Sequence, residues 1–246
     1  MLEDQRILIT GANGGIGLAL CETLLQNGAK LVLLYHKKRT GIDELLKKYK
    51  NSHIDVRQVD LLDDIKIRDV IKSVLESGQI DTFIHSATLP IDNKSIIDIQ
   101  WKDYQSHIEI QTRSFLQIVQ SLIPSMKEKR RGKIIAILTS SVIGRPPSNM
   151  SDYIVGKYSL FGLTKSLAVE LGHLGITVNC ISPSMTNTSL IDKLPTQMKI
   201  MAAKQAPLGR LAEPSDVASV ALFLCSKHSD YITGENFLVS GGQTMH

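Results

Sequence analysis

Short apolar runs of strand length alternate with amphipathic segments of helix length along the whole 246-residue chain. Several runs are apolar at consecutive positions, which is typical of strands covered on both faces of a parallel sheet. The alternation predicts an α/β fold, a doubly wound parallel sheet with helices on both faces and right-handed crossovers. The predicted strands are residues 7–9, 31–34, 54–56, 82–84, 134–138, 176–181 and 237–239.

The predicted helices lie between these runs, and no repeat, low-complexity tract or Pro/Gly-rich linker interrupts the pattern. We therefore expect one domain over residues 1–246. Ligands of such sheets bind beyond the carboxyl ends of the strands, so the residues after each run are the first candidates for a site. The predicted helices lie near residues 16–27, 42–50, 64–77, 102–129, 153–173 and 214–226.

Composition excludes several classes of protein. The chain is 43% hydrophobic and 21% charged, a composition that excludes wholesale disorder. Its formal net charge of +4 is too weakly basic to indicate nucleic-acid binding. No stretch approaches the roughly 20 apolar residues of a membrane helix, and the acidic N-terminus resembles neither a signal nor a transit peptide. Cys21, Cys180 and Cys225 lack ligand-like spacing and predict buried thiols. We expect a cytoplasmic protein without a metal, nucleic-acid or membrane partner.

A glycine-rich turn with the spacing T-G-x-x-x-G-x-G joins the first predicted strand to the first predicted helix. Gly11 allows a tight turn, Gly15 lets the backbone approach a diphosphate, and Gly17 permits close packing of helix on sheet. The free amides and positive dipole end of the helix favour an anion there. We predict nucleotide binding, with a turn that serves packing alone as the alternative. The predicted contacts are Gly11, Asn13, Gly14, Gly15, Ile16 and Gly17.

The end of the second strand indicates which nucleotide is bound. An acid there would bind a ribose 2′-hydroxyl and repel a 2′-phosphate. This chain has no acid at that position and continues with Tyr35, His36 and Lys37, followed by two more basic residues. The pattern predicts NADP(H), with His36 and Lys37 contacting the 2′-phosphate and a solvated basic loop as the alternative.

Asp60 and Leu61 follow the third predicted strand. Asp60 is well placed to accept a hydrogen bond from an adenine amino group, and Leu61 is predicted to contact the cofactor beside it. A lone acid at this position can equally cap a helix N-terminus.

Tyr153 and Lys157 are four residues apart on one face of a predicted helix. A phenol with a pKa of about 10 is a poor base at pH 7, and a neighbouring ammonium and the helix N-terminus lower that pKa. The phenol can then donate a proton in reduction and accept one in oxidation. Ser140, thirteen residues upstream, follows the fifth strand and can hold a substrate carbonyl oxygen. A Tyr-x-x-x-Lys pair alone could lie on the surface, but with the serine and the glycine turn it predicts an active site.

These motifs together resemble the short-chain dehydrogenase/reductase family, over essentially the whole chain. The resemblance is greatest to its 3-oxoacyl-(acyl-carrier-protein) reductase branch. The matching segments are residues 10–17, 153–157, 179–183, 207–210, 231–235 and 241–242.

The resemblance implies a Rossmann-type domain, hydride transfer between nicotinamide and a carbonyl or alcohol carbon, and a homodimer or homotetramer. Tyr153 would be the acid/base and Ser140 the oxyanion holder, while Lys157 would lower the phenol pKa and bind the nicotinamide ribose. Thr186, through its backbone, and Thr188, through its hydroxyl, would hold the nicotinamide amide. The cofactor contacts added by the resemblance are Ser86, Ala87, Tyr153, Lys157, Pro183, Ser184, Thr186 and Thr188.

The chain departs from the family pattern in the loop after the fourth strand, at Gln111 and at Ser184, which follows Pro183 where the family has glycine, and the catalytic serine has two candidates. The loop 85–88 reads His-Ser-Ala-Thr where the family has Asn-Asn-Ala-Gly. Gln111 stands where the family has an asparagine that holds a proton-relaying water, with the same amide groups on a longer arm. Ser140 keeps the usual spacing to Tyr153, whereas Ser141 begins the family-like wording Ser-Val-Ile-Gly one residue later. Separate alanine replacements distinguish the two serines.

Two segments bear on substrate and partner. Residues 184–210 resemble the family's mobile substrate lid, and Met198 and Met201 suit an adaptable apolar pocket. An ordinary core helix is the alternative. The basic run 127–133 suits an acidic acyl carrier protein or complements a helix dipole, and Leu174 stands where similar reductases have a second basic residue.

The sequence thus predicts an NADP(H)-dependent reductase of 3-oxoacyl thioesters carried on acyl carrier protein or CoA. One alternative is a family member acting on a sugar, steroid-like or other small keto substrate. Another is a non-catalytic NADP(H)-binding sensor.

Overall fold

The computed structural model describes residues 2–192 and 194–245, and its strands form a seven-stranded sheet in which every paired strand is parallel. The predicted α/β fold with a doubly wound parallel sheet is confirmed. The strand order is β3-β2-β1-β4-β5-β6-β7. The strands are β1 Arg6–Thr10, β2 Lys30–Tyr35, β3 Ile54–Gln58, β4 Thr82–His85, β5 Gly132–Ile137, β6 Ile176–Pro183 and β7 Asn236–Val239.

Helices cover both faces of the sheet. Alternate residues of β1 point to opposite faces, so Leu8 packs in the core of one face while Ile7 and Ile9 pack in the other. Helices α3, α5 and α6 cover the face of Leu8, and α1, α2 and α8 cover the opposite face. The helices are α1 Gly15–Gln26, α2 Thr40–Lys48, α3 Asp64–Glu76, α4 Trp101–Ile108, α5 Ser114–Lys129, α6 Ser151–Gly172, α7 Thr196–Gln205 and α8 Pro214–Cys225.

The predicted long helix 102–129 is interrupted by a π-helical turn, Glu109–Arg113, which separates α4 from α5. A π turn holds one more residue than an α turn, so it shifts the helix register and is common at functional sites. Here it carries Gln111, whose side chain is fully buried. A periodic apolar pattern does not reveal such an insertion, because the helix continues on both sides.

The order of the strands reverses on either side of β1, which makes the β1–β4 boundary the switch point where α/β sheets bind ligands. The strand ends are joined there by Thr10 Oγ1 and His85 Nδ1, 2.9 Å apart. The predicted domain 1–246 and the predicted lid 184–210 include Met1, Lys193 and His246, which lie outside the described residues.

Candidate active site

A cavity of about 1710 Å³ extends along the carboxyl ends of the strands, from the glycine turn to the segment before α7. Every residue predicted to bind cofactor or to act in catalysis lies in its wall, with the exception of Gln111. The fold therefore brings together residues from positions 11 to 188 in one continuous space.

The glycine turn forms one end of the cavity. Gly11 has a positive φ of 66°, and a Cβ at this residue would lie 2.8 Å from the backbone of Ala87. A Cβ on Gly17 would overlap the carbonyl oxygen of Gly11. The glycine at position 17 is therefore required by the turn itself, and not by the packing of the helix on the sheet. Helix α1 begins at Gly15 beside the cavity, so the free amides of its first turn lie where an anion would be favoured. Asn13 Oδ1 accepts a hydrogen bond from the Ile42 amide at 3.1 Å, which ties the turn to α2.

Asp60 and His36 face each other at the predicted adenosine end. His36 Nε2 lies 3.5 Å from Asp60 Oδ2, and Asp60 Oδ1 accepts the amide of Leu62 at 3.0 Å. The N-cap of α3 is Asp63, so the alternative that Asp60 caps this helix is wrong. Lys37 is exposed and forms no ion pair within the described ranges.

Tyr153 and Lys157 are buried near the start of α6, with 9% and 3% of their surfaces exposed. Lys157 Nζ donates to the Ile137 carbonyl at 2.7 Å and lies 5.7 Å from the centre of the Tyr153 ring. Burial raises the pKa of Tyr153 to about 12 and lowers the pKa of Lys157 to about 7. The Tyr-x-x-x-Lys spacing predicts that the lysine lowers the phenol pKa. In the structure burial raises it instead.

Three consecutive hydroxyls line the cavity after β5: Thr139, Ser140 and Ser141. Thr139 Oγ1 accepts the amide of Ser141 at 3.4 Å, and the Thr139 side chain lies beside the phenol of Tyr153, where it lowers the phenol pKa. Among the described residues, no hydrogen bond joins that phenol to either serine. The thirteen-residue spacing to Tyr153 indicates Ser140 and does not identify Thr139. The signal for Thr139 is its position directly after Leu138, the last apolar residue of the predicted strand 134–138.

Gln111 lies behind the cavity wall in contact with residues that the sequence analysis did not consider. Its Nε2 donates to His107 Nδ1 at 3.2 Å, while its Oε1 is buried and makes no hydrogen bond in the described part of the chain. His107 Nε2 lies 3.6 Å from Asp152 Oδ2, and both side chains are about 95% buried or more. Two signals were present in the sequence: His107 is four residues before Gln111, and Asp152 directly precedes Tyr153.

The unusual loop after β4 begins with a buried histidine. Burial lowers the pKa of His85 to about 3, so its ring is neutral. The ring centre lies 5.5 Å from that of Phe115, with the rings edge to face. His85 therefore fills the interior, and Ser86 and Ala87 form the cavity wall.

The predicted nicotinamide end follows Pro183, the last residue of β6. Met185 and Asn187 pair with Ala212 through hydrogen bonds of 3.1 Å and 2.8 Å. The amide of Thr186 takes no part in these two hydrogen bonds, and Thr186 lies in the cavity wall. The Thr188 hydroxyl donates to the Thr186 carbonyl at 3.5 Å.

The opposite end of the cavity is apolar and includes α7. Met185, Met198 and Met201 line it, together with Leu194. Ala202 is the buried residue of α7 among those described, and Met201 is 51% exposed. The core-helix alternative for this segment is therefore wrong, because most of α7 is exposed and Met198 and Met201 line the cavity.

The basic run 127–133 does not form one surface. Lys133 is 4% exposed, and its Nζ lies 2.7 Å from Asp230 Oδ1 and donates to Ser229 Oγ at 3.1 Å. Lys133 is therefore buried and paired with an Asp230 carboxylate that is itself 60% exposed, so it adds no exposed cation to the run. Leu174 is partly buried against the core.

Comparisons with known proteins agree on the fold and differ in substrate. A family profile described as enoyl-(acyl carrier protein) reductase matches residues 11–244. A 3-oxoacyl-[acyl-carrier-protein] reductase FabG from Thermotoga maritima is 31% identical over 245 residues, 98% of each chain. A 3alpha-hydroxysteroid dehydrogenase from Mediterraneibacter gnavus is 30% identical over 98% of this chain and 97% of its own. The crystal structure of levodione reductase has a TM-score of 0.91 at 24% identity, covering 99% and 98% of the two chains.

The described residues include no helix long and apolar enough to cross a membrane.

Proposed function

This chain belongs to the short-chain dehydrogenase/reductase family, and we propose that it is an NADP(H)-dependent carbonyl reductase that acts on 3-oxoacyl thioesters. The observation that carries the proposal is the shared cavity. Its wall includes the anion site at the start of α1, the buried Tyr153–Lys157 pair and an apolar end formed by methionines. A dinucleotide fits the end with the anion site, and an apolar ketone fits the apolar end, with the Tyr153–Lys157 pair between them.

The chemistry divides between the cofactor and the chain. A nicotinamide cofactor, when bound, supplies the hydride that reduces the carbonyl carbon. Tyr153 donates the proton to the carbonyl oxygen, since a phenol is in its protonated form at pH 7. Lys157 and a hydroxyl of segment 139–141 stabilise the charge that develops on that oxygen.

The charges at the end of β2 support NADP(H). Lys37 and Lys38 have no carboxylate partner in the described part of the molecule and lie in the cavity wall. Arg39, in contrast, is paired with Asp43 at 2.7 Å. A ribose 2′-phosphate would neutralise the two free lysines, which a 2′-hydroxyl cannot do. His36, held at Asp60, would lie beside the same group.

The apolar end of the cavity supports an acyl chain as the substrate. We propose that residues 184–210 cover the substrate, with Met198 and Met201 adapting to chains of different length. An apolar cyclic ketone is the second candidate, since one relative is a 3alpha-hydroxysteroid dehydrogenase. The burial of Lys133 and the position of Leu174 weaken docking to an acyl carrier protein, as fewer exposed cations remain.

A panel of ketones tests the proposed function. We expect oxidation of NADPH, followed by its absorbance, with acetoacetyl-CoA, and at least about tenfold slower reaction with NADH at subsaturating cofactor. Faster reduction of a steroid ketone would favour the second candidate. If acetoacetyl groups react no faster on acyl carrier protein than on CoA, carrier docking is wrong. Tight NADPH binding without turnover of any ketone would indicate a sensor.

The three hydroxyls after β5 give a separate prediction. We propose that the Thr139 hydroxyl, which lies in the cavity wall beside the phenol, holds the substrate oxygen, so Thr139→Val is expected to lower kcat about a hundredfold, the effect of losing one oxyanion donor. Ser140, which the thirteen-residue spacing favours, remains the sequence-based prediction. Steady-state kinetics of Thr139→Val, Ser140→Ala and Ser141→Ala rank the three side chains. A larger loss in either serine variant would assign the role to that serine.

A further inference from the structure

Three buried polar side chains form a cluster behind Tyr153. They are Asp152, His107 and Gln111, and none of them is in the cavity wall. His107 packs edge to face on Tyr153, with the ring centres 6.0 Å apart. The reaction scheme above gives no role to Asp152 or His107, although each is within a few ångströms of the acid/base residue or adjacent to it in sequence.

The placement of the Gln111 amide assigns one tautomer to His107. An amide nitrogen can only donate, so His107 Nδ1 must accept from Gln111 Nε2 at 3.2 Å. The ring proton then lies on Nε2, which faces Asp152 Oδ2 at 3.6 Å. This distance is too long for a hydrogen bond, but a carboxylate in a buried setting still favours a proton on the nearer nitrogen. The other carboxylate oxygen accepts the Tyr153 amide at 2.8 Å, which fixes the Asp152 side chain.

The neutral form of His107 is also favoured. Burial lowers its pKa, as does the positive charge of Lys157, whereas Asp152, Asp92 and Asp103 raise it by smaller amounts than burial lowers it. An imidazole whose pKa lies below the usual value of about 6.5 is mostly neutral at pH 7, so Nδ1 keeps its lone pair.

Gly156, which has no side chain, leaves the space that this cluster occupies. A Cβ at this residue would lie 3.0 Å from His107 Cβ and 3.1 Å from Gln111 Nε2, closer than side chains normally approach. The glycine directly precedes Lys157, so the room for His107 and Gln111 is made beside the catalytic lysine.

Because Gln111 Nε2 faces His107, the Oε1 atom of the same carboxamide is free to accept a hydrogen bond from another group. Oε1 is buried and makes no hydrogen bond in the part of the chain that the structure describes. The Lys157 ammonium has three protons, and one of them goes to the Ile137 carbonyl. Gln111 Nε2 would lie 3.1 Å from a Cβ at Gly156, the residue before Lys157, so the buried acceptor belongs to a side chain that packs beside the catalytic lysine.

We propose that Asp152 and His107 are positioning residues that hold the Gln111 carboxamide in one orientation, with Oε1 offered as an acceptor to Lys157, directly or through one water. The inference rests on the proposed reductase function, since it gives Gln111 a part in returning a proton to Tyr153. Two of the three residues have no counterpart in the motifs that the sequence analysis used.

A double-mutant cycle tests the proposal in the full chain. His107→Phe and Gln111→Met should each lower kcat about tenfold with little change in KM for NADPH, since each removes one hydrogen bond that acts in turnover. The double variant should be no slower than either single variant, because His107 acts through Gln111. His107→Gln, which offers an amide acceptor, should recover most of the rate. Losses that multiply to about a hundredfold in the double variant, or failure of His107→Gln to recover activity, would overturn the proposal.

A matched control separates this effect from loosened packing. The Thr112 hydroxyl and the Ser159 hydroxyl are 2.5 Å apart and join the same two segments of chain. Thr112→Val should therefore leave kcat unchanged. If it lowers kcat as much as His107→Phe does, the role of His107 is structural only.

A spectroscopic measurement keeps the inference independent of turnover. Long-range ¹H–¹⁵N spectra of the wild-type protein at pH 7, with the His107 signals assigned from their loss in His107→Phe, report which ring nitrogen carries the proton. We expect the Nε2–H tautomer in the wild type and a mixture of tautomers in Asp152→Asn. A wild-type Nδ1–H tautomer would overturn the proposal even if the enzyme is active. Absence of turnover with the expected tautomer would instead contradict the proposed function.

Discussion

Replacing Tyr153 with phenylalanine is expected to lower kcat by about three orders of magnitude and to leave the affinity for NADPH almost unchanged. The phenol is buried and its pKa is raised to about 12, so at neutral pH it is in the proton-donating form. Phenylalanine preserves the packing against Met150 and Ile191 and removes only the hydroxyl. The rate of NADPH oxidation with acetoacetyl-CoA and a fluorescence titration with NADPH measure the two quantities.

Tyr158 supplies the matched control for this variant. It lies five residues later in α6, is 45% exposed and is not in the cavity wall. Tyr158→Phe should keep full activity. If Tyr153→Phe retains turnover within about tenfold of the wild type, proton donation by this phenol is wrong.

Lys157→Met is expected to lower kcat at least about a hundredfold and, at the same time, to stabilise the fold at neutral pH. Lys157 is 3% exposed, and burial lowers its pKa from 10.5 to about 7. Burial of a potential charge therefore destabilises the folded state, and an apolar side chain of similar length removes this cost. The stabilisation amounts to a few kcal/mol at most, reduced by about 1 kcal/mol for the lost bond to the Ile137 carbonyl.

The pH dependence of this effect has a definite sign. Between about pH 7 and pH 10.5 the lysine is neutral in the folded protein and charged in the unfolded chain, so the unfolded chain binds more protons. The destabilisation by Lys157 is therefore complete at or below about pH 7 and disappears as the pH rises towards 10.5. Urea unfolding at about pH 7 and about pH 10 should show Lys157→Met more stable than the wild type at the lower pH, with a smaller difference at the higher.

Lys165 is the control residue for the stability measurement. It lies in the same helix, is exposed, and its Nζ is 5.4 Å from the centre of the Phe161 ring. Lys165→Met should change neither activity nor the difference in stability between the two pH values. A destabilised Lys157→Met at both pH values would show that its contacts outweigh the cost of its burial.

The fold could be predicted from the sequence because strand and helix patterns are local. Runs such as residues 31–34 and 176–181 are apolar at consecutive positions, and only strands covered on both faces have that composition. The structure extends these runs by one or two residues, as in Lys30–Tyr35 and Ile176–Pro183. The π turn Glu109–Arg113 was not predictable in this way, since one inserted residue leaves the apolar periodicity on each side intact.

The candidate site was predictable to the extent that its residues follow strand ends or share a helix face. Gly11, Asp60 and Pro183 line one cavity because the carboxyl ends of parallel strands meet at one edge of the sheet. Lys133, in contrast, belongs by sequence to a basic run, yet it points into the interior and pairs with Asp230. Residues 97 positions apart in sequence meet there, and no local pattern reports such a contact.

The sequence by itself determined the order of strands and helices, the glycine turn and the Tyr153–Lys157 pair, because each depends on residues that are close together along the chain. The tertiary structure alone decided which hydroxyl lies beside the phenol, the direction of the pKa shifts of the buried pair, and the contact of Asp152 with His107. The physical reason is that side-chain direction and loss of solvent depend on how distant segments pack. Burial changes the free energy of a charge by several kcal/mol, and neither residue type nor spacing records it.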